Sequence, residues 1–366
     1  MPSRKKPEAP KKPVKKKKQP VKPKPAAPPP AASASQAPPQ PSFSTQLRLL
    51  DVFARAFAPE LADPDRDEAL QQIKGDLFNR DFAAAFGRED HLALYAARWS
   101  PPRALCYSAI FNGLVEQFCG VLEATGVSGK DAEGEDVEGS RLRIVSVGGG
   151  AAELASVATF LGGDEYLSAL DVTLIDSGPW ASVVDRLHGA LTTAPQLPSS
   201  ASAAAVASNK PFISPDAITT SFHQHDVLSL DGETLGGLLG TSPVVVTLLF
   251  TLNELYTSGG IGKTTAFLLK LGALLAQGSL LLVVDSPGSY AETGVGGSSK
   301  QYPMRWLLEH ALLTTAAGTW ERVETCDSVW FRLAESLRYP IALENMRYQL
   351  HLYRVVQTPK PVEAGQ

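Results

Sequence analysis

Arg141-Leu142-Arg143-Ile144-Val145-Ser146-Val147-Gly148-Gly149-Gly150-Ala151-Ala152-Glu153-Leu154 is the stretch that decides the fold. Its first half, aliphatic and β-branched, reads as a buried strand. Its second half is a glycine turn that runs into a helical pattern. Glycines suit a turn that is tight and a backbone that must approach a ligand closely. Further short apolar runs occupy Val172–Ile175, Ile218–Phe222, Val244–Phe250 and Leu280–Val284, alternating with helical stretches. That alternation predicts an α/β fold: a mostly parallel sheet with helices on both faces. Val329–Leu333 and Gln349–Val356 read as two late strands, expected to be antiparallel. The Ser/Ala/Pro segment around Pro195–Ser208 and the segment Gly294–Ser299 read as low-complexity loops.

A glycine triplet alone also serves simple packing, so the later strand ends matter. Val172–Ile175 ends in Asp176, 26 positions after Gly150, close to the spacing of one βα unit. An acid there can accept from both hydroxyls of a ribose, or can cap a helix before Ser177-Gly178-Pro179. Asp226 and Val227 follow the third strand, where an acid or a backbone amide can meet an adenine amino group; a plain surface turn is the alternative. Val244–Phe250 opens into Thr251-Leu252-Asn253-Glu254-Leu255 at the carboxyl end of a fourth strand, where such sheets bind ligands. Glu153 stands where the last glycine of G-x-G-x-x-G would be. Its charge would repel a dinucleotide pyrophosphate, but a cofactor carrying a sulfonium and an ammonium would tolerate it. The expected fold is therefore a Rossmann-like, class I methyltransferase sheet, with S-adenosyl-L-methionine as cofactor. Gly148, Gly149, Gly150, Glu153, Asp176, Asp226, Val227 and Asn253 are the candidate cofactor residues.

Ser258-Gly259-Gly260-Ile261-Gly262-Lys263-Thr264-Thr265 offers a rival, a variant phosphate-binding loop of a nucleotide hydrolase, with Leu281–Asp285 as a magnesium-binding strand. The standard motif needs glycine where Thr257 stands, and it needs a strand directly before it. Thr251–Tyr256 intervenes, so the run reads better as a glycine-rich lead into a helix over Thr264–Ala276.

Around this core the composition is uneven. Residues 1–25 hold eleven of the 34 basic side chains and one of the 38 acids, so a tail near +10 precedes a body near −14. Residues 1–42 have almost no large apolar side chain and read as disordered. The run Lys11–Lys18 suits nuclear import machinery or tethering to a polyanion. Residues 43–125 read as an N-terminal helical module, with helices over Leu47–Phe57, over Ala69–Phe86, and from Pro101-Pro102 through Leu122. Residues 126–140 read as an acidic, glycine-rich loop, 141–358 as the methyltransferase domain, and 359–366 as a disordered end. Three scattered cysteines, Cys106, Cys119 and Cys326, argue against a disulfide framework and against a structural zinc site. The apolar runs are too short to cross a bilayer, so a soluble intracellular protein without membrane or metal partners is expected.

Four strings carry a resemblance: Tyr95–Leu105 (YAARWSPPRAL), Val147–Leu154, Phe250–Leu255 (FTLNEL) and Leu281–Tyr290 (LLVVDSPGSY). Together they resemble the fungal methyltransferases that modify uridine at ring position N-3 in large-subunit (25S) ribosomal RNA. The resemblance spans roughly residues 69–356. It implies an enzyme of ribosome assembly in the nucleolus, with ribosomal RNA or a pre-ribosomal particle as partner. The lysine-rich tail agrees with that location independently.

A uridine imide nitrogen is a poor nucleophile until its proton leaves, so a carboxylate near the cleft is wanted as base. Glu254 and Asp285, both at strand ends, are the candidates; capping is their alternative role. Arg98, Trp99, Arg103 and Tyr107 form a second cluster, suited to phosphate pairing and base stacking. His223 and His225 lack a third ligand and read as structural. The acidic body leaves other classes open: a methyltransferase acting on protein or small molecules, or a silent scaffold of the same fold.

Overall fold

The computed structural model describes residues 38–125, 141–161, 169–295 and 298–357. The lysine-rich residues, the acidic stretch 126–140 and the end 359–366 lie outside the described residues. Residues 38–42, expected to be part of the tail, are described: the Gln46 side chain donates to Pro41 O (2.8 Å), and Ser42 Oγ caps the first helix by accepting from Thr45 N.

Helices come first: α1 (Phe43–Ala56), α2 (Ala58–Ala62), α3 (Arg66–Phe78), α4 (Phe82–Phe86), α5 (Glu89–Arg98), α6 (Ser100–Gly113) and α7 (Val115–Ala124). Two expected helices are each broken in two. The Ala69–Phe86 pattern breaks at Arg80, whose φ of +59° is left-handed. The third breaks at Leu114, and α6 and α7 meet at 66°. No single described helix is long and apolar enough to cross a membrane.

Then the sheet begins: β1 (Arg141–Val147), α8 (Ala151–Phe160), β2 (Ala169–Asp176), α9 (Ala181–Thr192), α10 (Ala203–Ser208), β3 (Ile218–Gln224), α11 (Gly232–Leu239), β4 (Val245–Leu249), α12 (Leu252–Leu274) and β5 (Leu280–Asp285). A hairpin follows, β6 (Tyr290–Val295) with β7 (Ser298–Pro303), where a low-complexity loop was expected. The helix α13 (Met304–Glu309) and a π-helical turn over His310–Thr315 lead to β8 (Trp320–Phe331) and β9 (Met346–Val355).

The seven-stranded sheet has the order β3-β2-β1-β4-β5-β9-β8. The first five strands are parallel, and β9 and β8 close the edge antiparallel, as expected of the two late strands. Strand periodicity of two divides the core. Leu142, Ile144, Val172, Leu174, Leu280 and Leu282 face α1, α5, α6, α8 and α9. Val145, Val147, Ile175, Val246, Leu248, Leu281 and Val283 face α11, α12 and α13. The N-terminal helices thus share one core with the sheet. β1 lies between β2 and β4, so the chain order reverses there and leaves a crevice at the carboxyl ends of these strands.

Candidate active site

The crevice is a cleft of about 560 Å³. Gly148 and Gly150 line it at the end of β1. Gly148 has φ +69°, and a Cβ there would lie 2.2 Å from Thr251 Oγ1. A Cβ on Gly150 would lie 2.9 Å from the Trp180 ring. The sequence is glycine here because backbone, not side chain, must form this wall. Gly149 is different: its Cβ would run 2.6 Å from Ser146 Cβ, and the residue does not line the cleft. Its glycine is required by the packing of the turn against Ser146.

Glu153 Oε2 accepts the Gly150 N–H at 2.8 Å, which fixes the turn from within the first turn of α8. Burial pushes its carboxyl up to about 7, against the Gly150 hydrogen bond and Arg103, which pull it down. Asp176, the last residue of β2, lines the cleft and accepts the Gly178 N–H on Oδ1 (2.7 Å). Burial raises it to about 6. Oδ1 thus holds the turn before α9 rather than capping the helix, whose N-cap is Trp180, and the carboxylate lines the cavity. Asp226 and Val227 line the cleft after β3, with Asp226 Oδ1 taking the Leu228 N–H at 3.0 Å.

The fourth strand brings the chemistry. Phe250 carries φ +59° without being glycine, a strained conformation of the kind that clusters at sites of function. It directs the chain into α12, whose first turn places Glu254 in the cleft. Burial lifts Glu254 to about 8; Arg103 pulls it down, and Asp285 and Asp176 push it up. Arg103 lines the same cleft from α6, 5.3 Å from the Tyr95 ring and 5.5 Å from the Phe250 ring, and hydrogen-bonds the Tyr95 hydroxyl.

Asp285 does not reach the cleft. It is buried, with Oδ2 accepting the Asn253 N–H (3.0 Å) and Oδ1 the Ser286 N–H (2.7 Å). It caps α12 from the neighbouring strand, so its candidacy as base gives way to a structural role. Asn253 lies outside the lining too; its amide side chain leaves Oδ1 buried without a partner, and its backbone is what Asp285 holds. Tyr107 is 1% exposed, packed 6.3 Å from the Phe250 ring beneath the cleft floor. Arg98 and Trp99 line a separate hollow of about 380 Å³, where Arg98 pairs with Glu344. The four residues of that second cluster therefore split, and only Arg103 lines the cleft.

Sequence reasoning missed an aromatic wall. Phe82, Phe86, Tyr95 and Trp180 line the cleft, with edge contacts of 5.1 Å between Phe86 and Tyr95 and 6.0 Å between Tyr95 and Trp180. The Y-A-A-R-W string contained one of these residues; Phe82 and Phe86 sit in a helical pattern that reads as ordinary core, and Trp180 follows the Ser177-Gly178-Pro179 turn. The rival phosphate loop falls away, because Ser258–Thr265 lies inside α12, broken only at Gly260 (φ +77°), and no strand precedes it directly. Exposed Lys263 does border the cleft. His223 and His225 stack at 6.5 Å. Among the described residues no group of three or more His, Cys, Asp or Glu could hold a metal.

The lining carries four acids (Glu153, Asp176, Asp226, Glu254) against two cations (Arg103, Lys263). Such a cavity suits a cationic cofactor, and its glycine wall admits one closely. A model of the family described as "Putative SAM-dependent methyltransferase" matches residues 53–354. The chain is similar to the 25S rRNA (uridine(2843)-N(3))-methyltransferase of Saccharomyces cerevisiae, 29% identical over 350 residues that cover 87% of this chain and 86% of that protein. Among solved structures, a SAM-dependent methyltransferase of Methanosarcina mazei matches at 10% identity and TM-score 0.33, covering 59% of this chain and 93% of its own. A point mutant of the 16S rRNA (adenine(1408)-N(1))-methyltransferase of Catenulisporales acidiphilia matches at 13% identity and TM-score 0.35, covering 66% and 93%. Neither structural likeness is close enough to add to the case made by the cleft.

Proposed function

The chain belongs to this family of S-adenosylmethionine-dependent methyltransferases, and we propose that its acceptor is N-3 of a uridine in large-subunit ribosomal RNA. The observation that carries the reading is Glu254: a carboxylate in the cleft, raised to about 8, beside an arginine and an aromatic wall. The likeness to the yeast uridine N-3 enzyme supports the same acceptor.

When bound, the cofactor supplies an electrophilic methyl group on a sulfonium. Gly148 and Gly150 would face its amino-acid end, Asp176 its ribose hydroxyls, and Asp226 and Val227 its adenine. The wall of Phe82, Phe86, Tyr95 and Trp180 offers rings on which a pyrimidine taken out of its helix can stack. Glu254 would take the imide proton, freeing the nitrogen to accept the methyl group that the cofactor would supply. An acid with its pKa near the working pH is well matched to that task. Arg103, lining the same cleft, would stabilise the negative charge that builds on the base carbonyls as that proton leaves. The lysine-rich sequence fits delivery to the nucleolus, where such RNA is made.

The test is nucleoside analysis of large-subunit rRNA from cells lacking the protein. Loss of 3-methyluridine, restored by the wild-type chain and not by Glu254→Gln, is expected. An unchanged 3-methyluridine content would overturn the assignment.

A further inference from the structure

β8 is an edge strand, and the residue before its last is an exposed aromatic. Trp330 is 49% exposed, with Arg332 5.2 Å and Arg347 5.8 Å from its ring. Both arginines are exposed, and neither is paired with a carboxylate among the described residues. Arg347 Nε donates to Ser328 Oγ (2.8 Å), which fixes the side chain along the strand.

Strand register places this patch. Asp285, the last residue of β5, pairs with Gln349, while Trp330 pairs with Arg347. Arg347 and Trp330 therefore lie past the carboxyl end of the parallel strands, at the end of the sheet where the cleft opens. Packed side chains link the two regions: Tyr95 of the cleft wall lies 5.2 Å from Trp99. Trp99 lines the second hollow with Lys74 and Arg98 and with the acids Asp67 and Glu344. Arg98 Nη1 is buried there without a partner. The hollow's wall continues along the chain to Asn345, whose Oδ1 accepts the Leu333 N–H at 2.8 Å beside Arg332.

We infer that the Trp330–Arg332–Arg347 patch, continued through the Arg98–Trp99 hollow, binds the single-stranded RNA that flanks the methylated nucleotide. The inference rests on RNA being the acceptor. An exposed indole stacks on any base, and unpaired guanidinium groups pair with phosphates. The patch collects cations on the cleft side of a body whose sequence is acidic overall, which answers how such a body can hold a polyanion.

The experiment measures binding of a uridine-containing single-stranded RNA of about 16 nucleotides to the full chain, across salt concentrations, with donor affinity as the check on folding. Trp330→Ala is expected to weaken RNA binding roughly tenfold. The pair Arg332→Gln and Arg347→Gln is expected to reduce the salt slope by about 1.4, for two phosphates lost. KM for RNA rises in both, while kcat and donor affinity stay unchanged. Wild-type affinity and slope in both variants, with the wild-type chain binding RNA, would overturn the patch alone. A wild-type chain that binds no RNA would overturn the patch and the RNA acceptor together.

Discussion

Asp285 at the end of β5 accepts the backbone N–H of Asn253 across the sheet, at 3.0 Å, and so caps the helix that carries Glu254. The carboxylate that looked like a second base instead positions the first. Asp285→Ala is expected to lower stability by about 1 kcal/mol, the usual worth of a cap, read as a lower melting temperature. Asp285→Asn keeps one acceptor oxygen and should retain most of the methyl-transfer rate. A rate loss in Asp285→Asn as deep as that of Glu254→Gln would return Asp285 to the chemistry.

Glu254 must be ionised to take a proton, and burial holds it at about 8. The rate at low substrate should therefore rise with pH through about 8 in the wild-type enzyme. Glu254→Gln should lower kcat by roughly 10²–10⁴-fold and lose that limb of the profile, while donor binding survives. A Gln variant with wild-type kcat would remove Glu254 from the mechanism.

The raised acids also set a pH dependence of stability. Glu153 (about 7), Asp176 (about 6), Glu254 (about 8) and Asp285 (about 6) all titrate above the range of an unfolded chain, where such groups titrate near 4. Between the two ranges the folded state holds more protons, so stability falls as pH rises through about 6 to 8. A bound cation favours the ionised acids, so donor affinity should climb across the same window. Melting with and without donor at several pH values checks both signs; a donor-induced shift that shrinks from pH 6 to 8 would contradict the electrostatic account.

Two glycines separate conformation from contact. Gly260→Ala meets nothing within 4 Å and suffers only its backbone, φ +77° with ψ 168°, a region open essentially to glycine alone, roughly 1–3 kcal/mol. Gly148→Ala adds a collision with Thr251, for about 1–3 kcal/mol more, and should lose donor binding. Urea melts of the two variants measure the difference; equal losses would mean that the turn moves freely to admit a side chain.

The parallel half of the sheet was legible because buried strands are continuous aliphatic runs, such as Leu280–Val284, and because Gly148–Gly150 and Asp176 fall at strand ends. β8 was half hidden. Its first part, Trp320–Asp327, is an edge strand of mixed polar residues and shows no such run. The helix break at Arg80 was hidden too, since no glycine or proline marks it; the break at Leu114 directly follows Gly113, a signal the helical reading passed over. In the site, Glu254 and Asp285 looked alike in sequence; what separates them is that Asp285 accepts the Asn253 and Ser286 N–H groups while Glu254 lines the cleft, and that depends on β4 and β5 lying side by side. Arg98 and Arg103, five positions apart and so about 140° apart around a helix, face different cavities.

The central claim is a donor site built at Asp176 and the glycine turn. Calorimetric titration of S-adenosylmethionine into the wild-type chain and into Asp176→Ala tests it most directly, with ATP and magnesium as a control titration. The account predicts saturable donor binding that Asp176→Ala abolishes at a stability cost of only about 1 kcal/mol, the worth of the lost Gly178 turn bond, and no binding of ATP. Equal donor affinity in Asp176→Ala, or binding of ATP alone, would contradict it.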